Sequence, residues 1–579
     1  MYYPKLRVPN TSRQMVDTFK GYNHNLRIGD GEFFDMKNMT SDYYPVLSPR
    51  GSRGVYATPS KVNGLIAKDA LCYVDGSEFV INEYKVDMAL DDEPKQLISM
   101  GAYVIIVPDK KWVNTLTHEW GNIDAHFDNA ESGLGVEFTL CKLDATEYTD
   151  IAETEPKDPE NLDLWMDTST TPHTLKQYSK KNEAWVQIAT TYIKISCPNI
   201  GKAFELYDGV TISGIKDEKL QDLNATHAIW AKGDDYIVVV GILDEKASQS
   251  VDIGAISVDR KMPKLDFVIE SDNRLWGCRY GEANNGEVVN EIYSCKLGDF
   301  KNWNCFMGLS TDSYAASCGT DGQFTGAITH MGYPLFFKET CVHKVYGNYP
   351  ANFQIQTTAC NGVQKGSHKS LAIVNTTLFY KSRNGVCAYD GSLPTEVSYA
   401  MANEVYSDAV GGSHGSKYYI SMKDEDGAYN LFAYDMGKGM WHKEDDLKVD
   451  SFCSCRGEMY AVSGGKIITL RGSGTTDTEP VEWMVQTGEI GITSPDMKYI
   501  SRLTIRMAMD IGTEVHFYAQ YDFSEAWEPV GMLTSTNLRS FSIPIRPKRC
   551  DHMKLRIEGV GGAKIYSITK TIEQGSELS

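Results

Sequence analysis

Between residues 264 and 471 no stretch keeps a helical apolar period for three turns. Short runs rich in Val, Ile, Tyr, Phe and Trp recur instead, at 266–270 (DFVIE), 274–279 (RLWGCR), 333–338, 343–347, 371–374, 377–380, 385–389, 417–422, 430–434, 439–442, 458–462 and 466–470. Gly, Asp, Asn or Ser usually separates them, as strands and hairpins require. A strand grammar also repeats. Residues 375–391 read strand, Asn-Gly turn, strand, Tyr-Asp-Gly, and residues 429–442 give Tyr-Asp, a turn and Trp again. Strands in series at this spacing predict a β-propeller or a large sandwich, and the repeat is too loose to count blades.

The pattern extends on both sides. A hairpin around Asp75-Gly76 and a buried run at 103–107 read as first blades over 55–108. Residues 109–262 break the rhythm with an acidic, Pro-containing stretch at 153–161, and read as an inserted small β module. Residues 263–475 read as the remaining blades. Residues 476–579 alternate apolar and polar residues in the manner of a jelly-roll-like β-sandwich. Residues 1–54 read as an extended arm, either docking on a neighbouring subunit or lacing the propeller shut. The expected fold class is all-β: a β-propeller with an inserted β module and a C-terminal β-sandwich.

At 579 residues the chain exceeds one ordinary core, so roughly two to four domains are expected. A net charge of −20 argues against a general grip on nucleic acid, which needs an excess of Lys and Arg on one face. Thirteen cysteines lie scattered, without a CxxC pair, and read as reduced thiols. The N-terminus lacks the apolar core of a signal peptide, and no run of eighteen apolar residues spans a membrane.

Nor does a catalytic motif emerge. Gly411-Gly-Ser-His-Gly415 matches the letters of a nucleophile elbow, but a strand, 417–422, follows it rather than a helix. His118-Glu119 lacks the second His of a zinc-protease helix. Asp424-Glu-Asp-Gly427 has Tyr429 and Asp435 where a calcium loop needs Gly and Glu, so a hairpin turn is expected. No cofactor and no metal are expected. Trp165 and Trp185 are candidates for stacking on sugars if exposed, with core packing as the competing reading.

The arm carries a resemblance. Its order, through Gly21, Asn23, Glu32, Asn38, Met39, Pro45, Leu47, Arg50 and Arg53, resembles the opening of phage and prophage tail-hub, nozzle or packaged-DNA-stabilisation proteins. The stretches 273–277, 292–294 and 298–303 are similar to the same group, and 164–188 resembles small modules of phage tail and fibre proteins. The resemblance implies a non-enzymatic virion structural protein of a tail or head–tail connection, assembled in the host cytoplasm. Its partners would be other copies in a ring, portal, connector and tail proteins, and genomic DNA in passage. The ring's lumen, in so acidic a protein, would repel the DNA. Arg50, Arg53, Arg546, Lys548 and Arg549 are the candidate subunit contacts; a solvated strand edge is the competing reading of the last three. The alternative is a carbohydrate-binding or glycan-cleaving propeller of a tail or cell surface.

Overall fold

The computed structural model of the chain describes residues 11–574, apart from 149, 171–172, 189–191, 242, 244–245, 284–285, 472–474, 477–479, 493–496 and 535–536. The first ten residues of the expected arm therefore lie outside the described residues. The expected all-β class holds: beside the strands, the described helical segments are short 3-10 turns such as Glu218–Leu223.

Among the described residues seven antiparallel blades follow one another around a ring, each built on four strands. Blade 1 is Val62–Ala67, Leu71–Asp75, Glu78–Ile81 and Tyr84–Val86. Blade 2 is Gln96–Met100, Tyr103–Val107, Lys111–Asn114 and Trp120–Asn122. Blade 3 is Phe267–Ser271, Arg274–Glu282, Val288–Ser294 and Tyr314–Ser317, and blade 4 is Gly326–His330, Tyr333–Lys338, Cys341–Tyr346 and Gln354–Ala359. Blade 5 is Ala372–Val374, Thr377–Lys381, Val386–Tyr389 and Thr395–Glu396. Blade 6 is Ser407–His414, Lys417–Lys423, Tyr429–Asp435 and Met440–Asp445. Blade 7 takes Ser451–Cys455, Glu458–Ser463 and Lys466–Thr469 from this end of the chain and Gly54–Ala57 from the other.

The first strand of each blade is innermost, and the first strand of blade 7 returns to that of blade 1. A sheet is hydrophobic on the face it must bury, so each gap between blades holds its own core. Val74, Phe79 and Val104 fill the gap between blades 1 and 2, Val268 and Leu275 meet Ile98 and Ile105 across the next, and Trp276 meets Phe336 across the third. Leu335 and Tyr380 sit between blades 4 and 5, Tyr419 and Met459 between 6 and 7, and Val462 and Leu71 between 7 and 1. The gap between blades 5 and 6 is different. Its core runs on through Phe19, Tyr22, Phe33 and Met36 of the arm into Trp483, Phe517 and Ile557 of the C-terminal unit.

That continuity has a backbone counterpart. One sheet of ten strands passes from blade 6 through Gly21–Tyr22 and Glu32–Lys37 of the arm into Glu482–Thr487, Met553–Val560, Glu514–Tyr521 and Glu528–Leu533. A second sheet, Thr11–Val16, Ala563–Gln574, Lys498–Met509 and Arg539–Ile543, packs on its C-terminal half to make the sandwich. Along Lys498–Met509 the period-two pattern buries Ile500, Leu503, Ile505, Met507 and Met509, with register shifts between Ile500 and Arg502 and between Arg506 and Met507.

Two sequence boundaries move. The third and fourth strands of blade 2 lie inside the stretch expected to be inserted, so the insertion starts at Ala125–Asp128 and ends at Ser257–Arg260, which pair with each other. It has a core of its own around Phe138, Ile193, Phe204 and Ile237. Asn302 of blade 3 ties it down, its Nδ2 donating to Asp208 Oδ1 at 2.8 Å and its Oδ1 accepting from Gly209 N at 2.9 Å. The arm, in turn, is woven into three sheets through Thr11–Val16, Glu32–Lys37 and Gly54–Ala57.

Candidate functional site at the joint of arm, propeller and sandwich

The arm's strands are short, and polar side chains fix what they cannot. Gly21 has φ +83, and a Cβ there would lie 2.3 Å from the Trp441 carbonyl oxygen, so only glycine lets Tyr22 pair with Trp441 of blade 6. Asn38 is left-handed, φ 58, a conformation that Asn tolerates. It reaches three units at once. Its N–H donates to the Glu444 carbonyl of blade 6, its Nδ2 donates to the Glu482 carbonyl of the sandwich at 2.7 Å, and its Oδ1 accepts from Arg50 Nε at 2.9 Å.

Beside it lies a buried charge cluster. Arg53 donates from Nη1 to Asp445 Oδ2 at 2.5 Å and from Nη2 to Glu444 Oε2 at 2.8 Å, and Arg50 Nη2 reaches Asp445 Oδ2 at 3.3 Å. Burial alone would push the Asp445 carboxyl up; Arg53 and Arg50 more than reverse it, and it lies below the usual carboxylate range. Burial likewise lowers Arg53, and Glu444 and Asp445 bring it out above its ordinary value. A second set of bonds holds the turn after Asn38. Lys417 Nζ donates to Asp42 Oδ1 at 2.6 Å and Thr40 Oγ1 at 2.9 Å, and Ser41 donates to Asp435 Oδ2 at 2.6 Å.

The expected subunit contacts therefore divide. Arg50 and Arg53 turn to the chain's own sixth blade and hold its own arm there, because Glu444 and Asp445 lie under them. Arg546, Lys548 and Arg549 are exposed on the sandwich, and Lys548 pairs with the equally exposed Glu528 at 2.5 Å. Glu444 and Asp445 were missed; their one signal is a run of charge, 443–446, directly after the strand run 439–442.

The remaining candidates resolve locally. Ser413 sits in a strand, paired with Tyr418 across a hairpin, and forms no elbow. Asp424 accepts from Ala428 N and Asn430 Nδ2 inside the expected hairpin turn. Trp165 is buried, its Nε1 donating to the Ala152 carbonyl at 2.9 Å, and Trp185 lies edge-on to it at 5.5 Å, so Trp165 offers no face to a ligand. Among the described residues no group of three or more His, Cys, Asp or Glu is placed to hold a metal, and no helix is long and apolar enough to cross a membrane.

One cleft outside the joint combines aromatic and charged walls. It opens between blades 3 and 4 beside two tight hairpin turns, Asp272-Asn273 (φ 50 and 58) and Met331-Gly332 (φ 51 and 77). Arg274, Trp276, Tyr333 and Phe353 line it, and it holds about 210 Å³. Sequence reading placed the first turn but not the cleft, since its walls come from two blades.

No family model matches the sequence, and no curated protein matches it. Solved structures do. An exo-β-1,3-galactanase from Phanerochaete chrysosporium is 9% identical, over 52% of this chain and 94% of that one, with a TM-score of 0.20. An arabinoxylan arabinofuranohydrolase from Bacillus subtilis is 8% identical, over 52% and 94%, at 0.20. The extracellular domain of a hybrid two-component system from B. thetaiotaomicron is 9% identical, over 92% and 98%, at 0.21. The expectation of a chain without enzymatic activity is corrected here: several matched structures are glycoside hydrolases. At these scores the likeness assigns neither an activity nor a substrate. What stands is an all-β chain in which a seven-bladed propeller and a sandwich share one sheet.

Proposed function

We propose that the chain is a structural component of a phage virion, at the tail or head–tail connection, and that copies assemble into a ring. The observation that supports this is where the phrase resembling tail-hub and nozzle openings falls. Gly21, Asn38, Leu47, Arg50 and Arg53 are the residues that bolt the propeller to the sandwich. A unit joined by a continuous sheet, a shared core and a buried ion cluster transmits load without hinging. The exposed Arg546, Lys548 and Arg549, in a chain of net charge −20, fit an acidic surface on the next copy. Negative-stain imaging of the purified full chain tests this: closed rings of one size support it, and a monomer at every concentration and salt sinks it.

A second reading is favoured by the cleft between blades 3 and 4: a propeller of a tail or cell surface that recognises or cleaves glycans. Aromatic walls with a few placed polar groups are the usual make-up of a small-molecule site, and a sugar ring fits this one. A glycan array, followed by a reducing-sugar assay on any binder, checks it. Silence on both removes it.

A further inference from the structure

Arg274 is 2% exposed, yet no carboxylate lies within ion-pair distance of it among the described residues. Its bonds go to backbone carbonyls: Nη1 donates to Cys295 O at 2.9 Å and Asp312 O at 2.6 Å, and Nη2 donates to Ser310 O at 3.0 Å. The neighbouring acid is turned elsewhere. Asp312 Oδ2 accepts from the amides of Met307 at 2.5 Å and Leu309 at 3.0 Å. Among the described residues these three are its hydrogen bonds, and the side chain lines the cleft between blades 3 and 4. A buried cation bonded to carbonyl dipoles, with the Asp312 carboxylate acting on it from beyond ion-pair distance, remains costly, and a guanidinium recovers most from a planar carboxylate met two-pronged.

The surroundings set the size and kind of ligand. Phe353 lies under the guanidinium at 5.6 Å and edge-on to Trp276 at 4.9 Å, which fixes the inner wall. Tyr333 stands at the mouth, its ring flanked by Lys344 Nζ at 4.3 Å and by Tyr346 at 5.0 Å. Asn348 and the backbone of the two hairpin turns supply polar groups around the rim. The space, about 210 Å³, takes one ring rather than an extended chain. Asp272, exposed on the rim, is the one carboxylate lining the cleft.

We propose that this cleft binds a single carboxylate-bearing sugar residue, a uronate or similar acidic saccharide, with Arg274 holding the carboxylate and Tyr333 packing on the ring. The inference rests on the glycan reading and is independent of ring assembly. Asp272 opposes the anion from the rim and keeps the site weak and selective. Lys344 beside Tyr333 draws the anion in, so binding weakens as salt rises.

Isothermal titration of the full chain with methyl glucuronide, methyl glucoside and N-acetylglycine tests it. Methyl glucuronide binds saturably, and the uncharged glucoside binds about tenfold more weakly or not at all, a difference of roughly 1.4 kcal/mol. Tyr333→Ala weakens the glucuronide several-fold and Asp272→Asn tightens it; both positions face solvent, so the fold tolerates them. Equal binding of glucuronide and glucoside overturns the proposal, as does no saturation into the millimolar range. N-acetylglycine binding as well as glucuronide overturns it in favour of a protein C-terminus as the ligand. Glycan-array binding that survives Tyr333→Ala leaves the glycan reading standing and removes this site.

Discussion

Arg53 donates to Asp445 through both terminal nitrogens, at 2.5 and 3.2 Å, across 392 residues of sequence. One end of the arm is thereby fastened to the last strand of the sixth blade, where the shared sheet crosses from propeller to sandwich. Arg53→Met leaves two carboxylates buried without their main cation, and is expected to cost about 3 kcal/mol of stability. Urea unfolding of the single and paired variants Arg53→Met and Asp445→Asn checks it. The paired variant should lose clearly less than the two singles together, because the partners interact directly.

Gly21 lies where the sheet passes from blade 6 to the arm. Gly21→Ala puts a methyl group against the Trp441 carbonyl in a backbone conformation that alanine resists. The expected loss is about 2 kcal/mol or more, with faster amide exchange at Tyr22 and Trp441 than inside blades 1 to 4. Unchanged exchange at those two amides would mean that this crossing is not a structural necessity.

Acid should weaken the fold in two stages. Burial holds His442 near 3 and His343 near 4, far below the ordinary histidine value. Both are neutral in the folded chain, so only the unfolded chain takes up protons as pH falls below about 6.5. Their contribution is fully present above that value and is lost on the way down to 4 and then 3. Asp445 and Asp42 have lowered folded values and add their loss further down, as pH falls through the folded values themselves. Thermal melts should be flat from pH 8 to 7 and fall steadily below 6.5; His343→Gln should flatten the first part of that fall.

Lys381 obeys the same rule in an alkaline window. It is buried in blade 5 with Nζ donating to the Ser382 carbonyl at 2.5 Å, and burial brings it down to about 8. Below pH 8 both states are charged and the full burial cost is present; between about 8 and 10.5 the unfolded chain holds the extra proton, so stability rises with pH. Lys381→Met should raise the melting temperature at pH 7, by a margin that shrinks as pH climbs through that window. A margin independent of pH would place the effect in packing alone.

The strands of the blades are legible in the sequence because each is short, apolar on alternate residues and closed by a strong turn pair such as Asp75-Gly76 or Asp272-Asn273. Blade number is not, because Gly54–Ala57 completes blade 7 from the far end of the chain, and nothing local marks that pairing. Lys111–Asn114 and Trp120–Asn122 escaped for a different reason. They are the outer strands of blade 2, short and partly solvated, so they carry little apolar pattern. Arg50 and Arg53 read as surface cations because burial of a charge depends on a partner, and Glu444 and Asp445 stand some 390 positions away. The Arg274 cleft needs two blades side by side before any of its walls exist.

The proposed assembly turns on the exposed basic edge of the sandwich. Native mass spectrometry of the full chain, beside Arg546→Glu/Lys548→Glu/Arg549→Glu, measures it most directly. Those side chains are exposed and contribute little to the fold, the Lys548–Glu528 pair being a surface contact. The account predicts one closed oligomer for the natural chain and monomers for the triple variant, with unchanged melting of the individual chain. A natural chain that stays monomeric, or a triple variant that assembles as well as its parent, would contradict it.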